Sequence, residues 1–147
     1  MIGLQRYKKT TEDIIKEELK KLSFGGCSTY IYEYPREAED IDNLTTSRFG
    51  ITKEGQPIVE FYTSIIDQIY NDQRSFILKK YSSKQKYIQS IIKHEYRHYE
   101  QYKYAIDHKI SIDYIDEHMD IMEKDAYKYE KGTQSNLDKV FIEVEGK

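Results

Sequence analysis

Cysteine, proline and glycine are scarce in this sequence, and tryptophan is absent. The single cysteine, Cys27, excludes an internal disulfide and a metal site built from several cysteines. Only two prolines and seven glycines interrupt the chain, and no segment has the composition of a linker. No apolar run approaches the roughly 20 residues that cross a bilayer, and no signal-peptide pattern is present. These absences predict a single domain over residues 1–147, located in the cytoplasm and not bound to a membrane.

The charged residues make up 33% of the sequence and nearly balance, with a formal net charge of −3. Lysines alternate with acidic residues, which is typical of solvated surfaces. We therefore expect no nucleic-acid-binding surface. Hydrophobic residues, at 38%, are sufficient for a modest core.

The first half of the chain predicts a helix followed by a small, mainly antiparallel sheet. Apolar side chains recur at helical spacing over residues 11–22, and Thr10 or Thr11 can cap this helix. Strands are expected, in chain order, at residues 29–34, 48–52 and 57–63, with a polar loop at 36–46 and a hairpin turn between the last two.

The second half predicts helices and one final strand. Helices are expected at residues 64–81 with a break near 71–72, from a cap at Ser82 or Ser83 to about Ile106, and after Ser111 as far as Gly132. The alternation of Val140, Ile142 and Val144 predicts a last strand. A helix, then strands, then helices is typical of an α+β domain.

The segment His94-Glu95-Tyr96-Arg97-His98 carries the clearest chemical signal. Its two histidines are four residues apart on a predicted helix, so both imidazoles lie on one face and can share one metal ion. Glu95 lies about 100° around the helix from His94, where it can contact a metal-bound water. The HExxH pattern therefore predicts one zinc ion (Zn2+) per chain, with Glu95 as the general base.

A catalytic zinc site needs a third protein ligand and one open position. The next predicted helix offers several acidic residues and one histidine, and Glu123, His118 and Asp120 are the candidates. A fourth ligand, such as His118 or Asp120, would instead close the site and make it structural.

The segment 94–101, with Gln101 at its end, and the later run Glu123-Lys124-Asp125-Ala126-Tyr127 resemble the gluzincin metallopeptidases. Members of that clan carry HExxH on one helix and a glutamate ligand on a following helix. Many small members show HExxHxxQ and then an ExDAY-like run. Arg97 departs from the pattern, because its position is normally uncharged. The resemblance covers about residues 88–130.

The resemblance implies a minimal zincin-like domain in which the zinc ligands are His94, His98 and Glu123 and the catalytic residue is Glu95. It also implies that Ala126 lets the two helices approach closely and that Asp125 orients a metal ligand. In such a domain the last strand, Pro57–Tyr62, is an edge strand that can receive an extended peptide.

We therefore predict a zinc metalloendopeptidase that hydrolyses a protein or peptide substrate. Tyr104, Tyr127 and Tyr129 are candidates for stabilising the oxyanion. The alternatives are a non-catalytic zinc-binding protein of zincin-like fold that acts as a partner-binding or regulatory module, and a metal-free interaction protein in which the motif is accidental. The sequence leaves the substrate and the oligomeric state open.

Overall fold

The computed structural model describes residues 9–35, 45–132 and 136–145. Within these ranges the chain has an α+β fold of seven helices and three strands. The helices are α1 (Thr11–Leu19), α2 (Thr63–Asp72), α3 (Arg74–Tyr81), α4 (Lys84–Asp107), α5 (Ile112–Glu117), α6 (Met119–Glu130) and α7 (Leu137–Glu145). The strands are β1 (Ser28–Tyr32), β2 (Ser47–Ile51) and β3 (Pro57–Tyr62). Most of the predicted polar loop at 36–46 lies outside the described residues.

The three strands form one mixed sheet in the order β1–β3–β2. β2 and β3 form the predicted antiparallel hairpin, with Ser47 opposite Phe61 and Ile51 opposite Pro57. Gly55 closes its turn at a φ of 84°, a conformation that costs glycine little. β1 pairs with β3 in parallel, so the prediction of a mainly antiparallel sheet is wrong for that pair. A short turn specifies a hairpin locally, whereas distant strands pair through tertiary packing.

β3 is the central strand of this sheet, and the prediction that Pro57–Tyr62 forms an edge is wrong. Val59, Phe61 and Tyr62 are fully buried, and a near-continuous buried run is typical of a strand with neighbours on both sides. Among the strands that the structure describes, β2 therefore lies at an edge of the sheet, and it contacts α4.

α4 is the longest helix described, and it passes through two hydrophobic cores. Its N-terminal half contributes Ile88 and Ile92 to a core shared with α1, α2 and the sheet. Its C-terminal half contributes Ala105 to a second core shared with α5, α6 and α7. The HExxH segment lies between these two anchors, so packing at both ends holds its backbone in place.

The N-termini of α1 and α4 follow the predicted capping chemistry. Thr10 accepts a hydrogen bond from the Asp13 amide, and the Asp13 side chain accepts one from the Thr10 amide. This reciprocal arrangement is a capping box. Ser83 caps α4 by accepting from the Lys86 amide. α1 ends at Leu19, three residues before its predicted end.

The predicted break between the helices near residues 71–72 is confirmed, with Gln73 separating α2 from α3. A second break, at His118, was not predicted and divides one expected helix into α5 and α6. The His118 Nδ1 atom lies 2.8 Å from the Tyr114 carbonyl oxygen. The His118 amide bonds to Ile115 instead, so the side chain replaces the regular helical hydrogen bond at this carbonyl.

The predicted final strand is a helix, α7. Leu137, Val140 and Phe141 pack in the second core, and their spacing of three and four residues is that of one helix face. Ile142, which belongs to the apparent alternation, is 64% exposed. The alternation of Val140, Ile142 and Val144 was therefore misleading. The residues that face the second core are spaced as on a helix and not as on a strand.

Candidate metal centre

The two histidines of the HExxH segment lie on the face of α4 that packs against α6. Their ring centroids are 4.9 Å apart, and the rings are nearly perpendicular. Only 14% of the His94 side chain and 10% of the His98 side chain are exposed. One helical turn thus presents two shielded imidazoles to the same point in space.

Glu123, on α6, contacts both imidazoles. Its Oε2 atom lies 3.4 Å from the Nε2 atom of His94, and its Oε1 atom contacts the Nε2 atom of His98. One ligand atom from each residue lies within 4.8 Å of the others. Among the residues that the structure describes, this is the one such group of His, Cys, Asp or Glu. His118 and Asp120, the other candidate third ligands, are not members of it.

Charge is concentrated in this cluster. Burial alone would lower the pKa of His94, but hydrogen bonds with Glu123 and Glu130 raise it to about 10. Burial likewise opposes the charge of His98, while Glu123 and Glu95 raise its pKa above the usual value. The two imidazoles hold the pKa of the Glu123 carboxyl well below its usual range. The acidic side chains around the two imidazoles therefore favour positive charge at this point, and such an electrostatic environment also suits a divalent cation.

The remaining nitrogen of each ring is held by a second partner. The Nδ1 atom of His94 lies 2.9 Å from Oε1 of Glu130, a carboxylate that can only accept when ionised. The Nδ1 atom of His98 lies 2.9 Å from Oε1 of Gln101. With Nδ1 donating in both rings, the two Nε2 atoms are the ones available to a metal.

This donor set fits zinc. Two imidazole nitrogens and one carboxylate oxygen form one of the three-ligand combinations found in catalytic zinc sites. The outward hydrogen bonds from both Nδ1 atoms are the supports that metal-bound histidines usually have. Three ligands, and not four, make up the group in the described part of the chain, which is the number that leaves an open position.

Arg97, whose charge departs from the gluzincin pattern, is buried at 4% exposure. Its Nε donates to Oδ2 of Asp125 at 2.7 Å, and its Nη2 donates to Oδ1 at 3.2 Å. Its Nη1 also donates to Glu100 at 3.3 Å, and its guanidinium lies 5.1 Å from the Tyr129 ring centroid. The charge at this position is therefore explained by an ion pair between α4 and α6.

Glu95 projects from the same helix but not into the ligand group. The residue is 4% exposed, and its carboxylate accepts a hydrogen bond from the Ser47 hydroxyl at 2.6 Å. Burial raises the pKa of Glu95, while the charge of His98 and the Ser47 hydroxyl oppose that rise. A carboxylate in such a setting is suited to accept and return a proton.

A cavity of about 810 Å³ opens onto the cluster. The cavity is lined by the continuous segment 45–51, which contains β2, and by residues of α5 and α6 that include Ile115, Met119 and Tyr127. His94, His98, Glu95 and Glu123 all line the cavity, so its contents can reach the ligand group and the carboxylate of Glu95 together.

Of the three tyrosines proposed for the oxyanion, Tyr127 alone lines the cavity. Its ring lies edge-on to His94 at 4.8 Å between centroids, and 53% of the residue is exposed. Tyr129 stacks on Tyr96, and Tyr104 stacks on Phe141 and donates to Asp138.

Sequence reasoning missed Ser47 and Glu130. Glu130 is seven residues after Glu123, and this spacing of two helical turns could have placed both carboxylates on one face. Ser47 is 48 residues before Glu95, and no local pattern connects them. Only the packing of β2 against α4 brings Ser47 to the site.

No protein-family model matches this sequence, and comparisons with curated proteins and with solved structures found no match. Within the described ranges, no helix combines the length and the apolar character needed to cross a membrane.

Proposed function

We propose that this chain is a zinc-dependent metallopeptidase of minimal zincin-like fold, which binds zinc through His94, His98 and Glu123. The observation that carries the proposal is the converging set of two Nε2 atoms and one carboxylate, each imidazole supported through Nδ1. A bound zinc ion supplies a Lewis acid, which polarises a substrate carbonyl and acidifies water at neutral pH.

Glu95 is the proton acceptor and donor in this proposal. The Ser47 hydroxyl donates a hydrogen bond to Oε2 of Glu95. The Oε1 atom is then the one that takes a proton from the attacking water. Glu95 then delivers this proton to the nitrogen of the departing amine, so the peptide bond is hydrolysed with no net change in protonation of the enzyme. The low exposure of Glu95 keeps bulk water from competing for that proton.

The cavity supports a peptide as the substrate. β2 is an edge strand of the sheet, and the segment 45–51 that contains it lines the cavity without interruption. An extended peptide can pair with such an edge through backbone hydrogen bonds. This strand takes the place of Pro57–Tyr62 in the proposed mode of binding.

Zinc binding is tested with one ligand variant and one control variant. Protein purified without a histidine tag is expected to contain one zinc per chain by elemental analysis, and His94→Ala is expected to lose it. His118→Ala is the matched control, because it removes a histidine outside the cluster and should retain zinc. A wild-type protein that does not bind zinc would contradict the proposal.

Glu95→Gln separates a peptidase from a non-catalytic zinc protein. This variant keeps all three ligands and is expected to retain zinc. Cleavage of fluorescently labelled casein, and of a mixture of unstructured peptides followed by mass spectrometry, is expected from the wild type and not from Glu95→Gln. Zinc-loaded wild type that cleaves neither substrate would favour the non-catalytic alternative.

A further inference from the structure

The ion pair between Arg97 and Asp125 is outside the metal cluster, and the proposed mechanism gives it no role. Its side chains are 5% and 4% exposed. Because the guanidinium donates from two nitrogens to two carboxylate oxygens, the pair restricts both the distance and the orientation of its partners. It therefore sets where Asp125, on α6, stands relative to α4.

Gln101 joins this pair to the metal cluster. Its Nε2 donates to Oδ2 of Asp125 at 2.8 Å and to the Met122 carbonyl oxygen at 3.0 Å. Both partners are acceptors, so the NH2 group of the amide must face them. Oε1 is then directed at His98, where it lies 2.9 Å from Nδ1. An oxygen at this point accepts, so Nδ1 of His98 is the nitrogen that carries the proton.

We propose that Arg97 and Asp125 are positioning residues for zinc, because together they hold the Gln101 amide in the orientation that directs the Nε2 atom of His98 at the ion. This inference rests on the proposed function. If the amide turned by 180°, its NH2 group would face Nδ1 of His98 and favour the tautomer with the proton on Nε2. That tautomer cannot bind a metal through Nε2.

The pair also accounts for the unusual arginine in the motif. An uncharged residue at position 97 would remove the guanidinium that pairs with the buried Asp125 carboxylate, and the loss of one partner of a buried ion pair is costly in a protein interior. Since Asp125 is the residue that orients Gln101, Arg97 and Asp125 are needed together. Neither residue is a ligand, so the effect that we propose on zinc is indirect and passes through Gln101 and His98.

The principal test is the double variant Arg97→Met/Asp125→Leu. Replacing both members leaves no unpaired buried charge, so the fold is expected to survive, as measured by circular dichroism in the presence of EDTA. Zinc affinity, measured by competition with a fluorescent chelator, is expected to fall by about 10- to 100-fold. In zinc-loaded protein labelled with 15N, His98 is expected to be bound through Nε2 alone in the wild type and to show mixed coordination in the variant.

Three further variants isolate the connection. Glu100→Gln removes a second carboxylate that Arg97 contacts and is expected to keep wild-type affinity. Gln101→Met keeps the ion pair but removes the amide, and it is expected to weaken zinc binding about as much as the double variant. Arg97→Lys keeps the charge but cannot form the two-nitrogen contact, so its affinity is expected to lie between the wild type and the double variant.

The outcomes distinguish this inference from the proposed function. Wild-type zinc affinity in the folded double variant would overturn the inference and leave the zinc site intact. If the double variant does not fold, the zinc affinity of Arg97→Lys is the test, and a wild-type value would overturn the inference. A wild-type protein that binds no zinc would overturn both proposals.

Discussion

Replacement of Arg97 alone by methionine is expected to lower the free energy of unfolding by about 3–5 kcal/mol, the usual cost of leaving one member of a buried ion pair without its partner. Asp125 is 4% exposed and would lose hydrogen bonds of 2.7 and 3.2 Å. Gln101 would remain as a neutral donor, which compensates less of the desolvation of a carboxylate than a cation does. The Tyr129 ring would also lose its cation, a contact worth about 0.5–1 kcal/mol.

Urea unfolding at pH 7 in EDTA, followed by circular dichroism, measures this loss without a contribution from zinc. For a slope of about 2 kcal/mol per molar urea, a loss of about 4 kcal/mol moves the midpoint down by about 2 M. The double variant Arg97→Met/Asp125→Leu is expected to recover most of that shift, because both charges of the pair are removed together.

The control is Lys16→Met, which removes the exposed ion pair between Lys16 and Glu12. Both side chains are more than half exposed, so no measurable change in midpoint is expected. A midpoint for Arg97→Met that equals that of the wild type would refute the reasoning, since it would mean that Asp125 needs no buried counter-ion.

Three other perturbations test separate parts of the structure. Ser47→Ala removes the hydroxyl that donates to Glu95, and it is expected to slow peptide hydrolysis by roughly 10- to 100-fold with unchanged zinc content; a wild-type rate would count against the role of Ser47. Glu18→Gln tests acid stability: burial opposes the Glu18 charge, but hydrogen bonds led by Gln89 lower the pKa of Glu18. This stabilisation is present above the unfolded pKa and is lost as pH falls through the lower folded pKa, so the stability difference between wild type and variant should shrink from pH 7 to pH 3; a difference independent of pH would contradict it. Ile88→Ala opens a cavity at a fully buried position and is expected to cost about 2–5 kcal/mol in urea unfolding; a loss under about 1 kcal/mol would mean that the first core does not depend on Ile88.

Local chemistry made several elements predictable. The threonine and serine caps, the hairpin and the long helix of the HExxH segment depend on neighbours within a few residues, and such interactions can be read from a short stretch of sequence. The prediction of a final strand was wrong because it depended on distant contacts. Val140 and Phe141 pack in one core with Ala105 and Met122, which lie far from them along the chain.

In the candidate site, too, some features could be predicted from local sequence and others could not. The face shared by His94 and His98 follows from helix geometry alone, and the resemblance to the gluzincins implies Glu123 as the third ligand. The ion pair that explains the charge at Arg97 could not be predicted from the sequence, because its partner Asp125 is 28 residues away on another helix. Ser47 is more distant still, and β2 brings it to Glu95.

By itself, the sequence determined which groups are candidates to bind a metal and move a proton, because residue type and helical spacing are local properties. Tertiary structure alone decided how those groups are supported. The contact between His94 and Glu130, the buried ion pair between α4 and α6, and the edge strand beside the cavity all depend on packing between separate elements of the fold. Contacts of this kind form only when both hydrophobic cores pack.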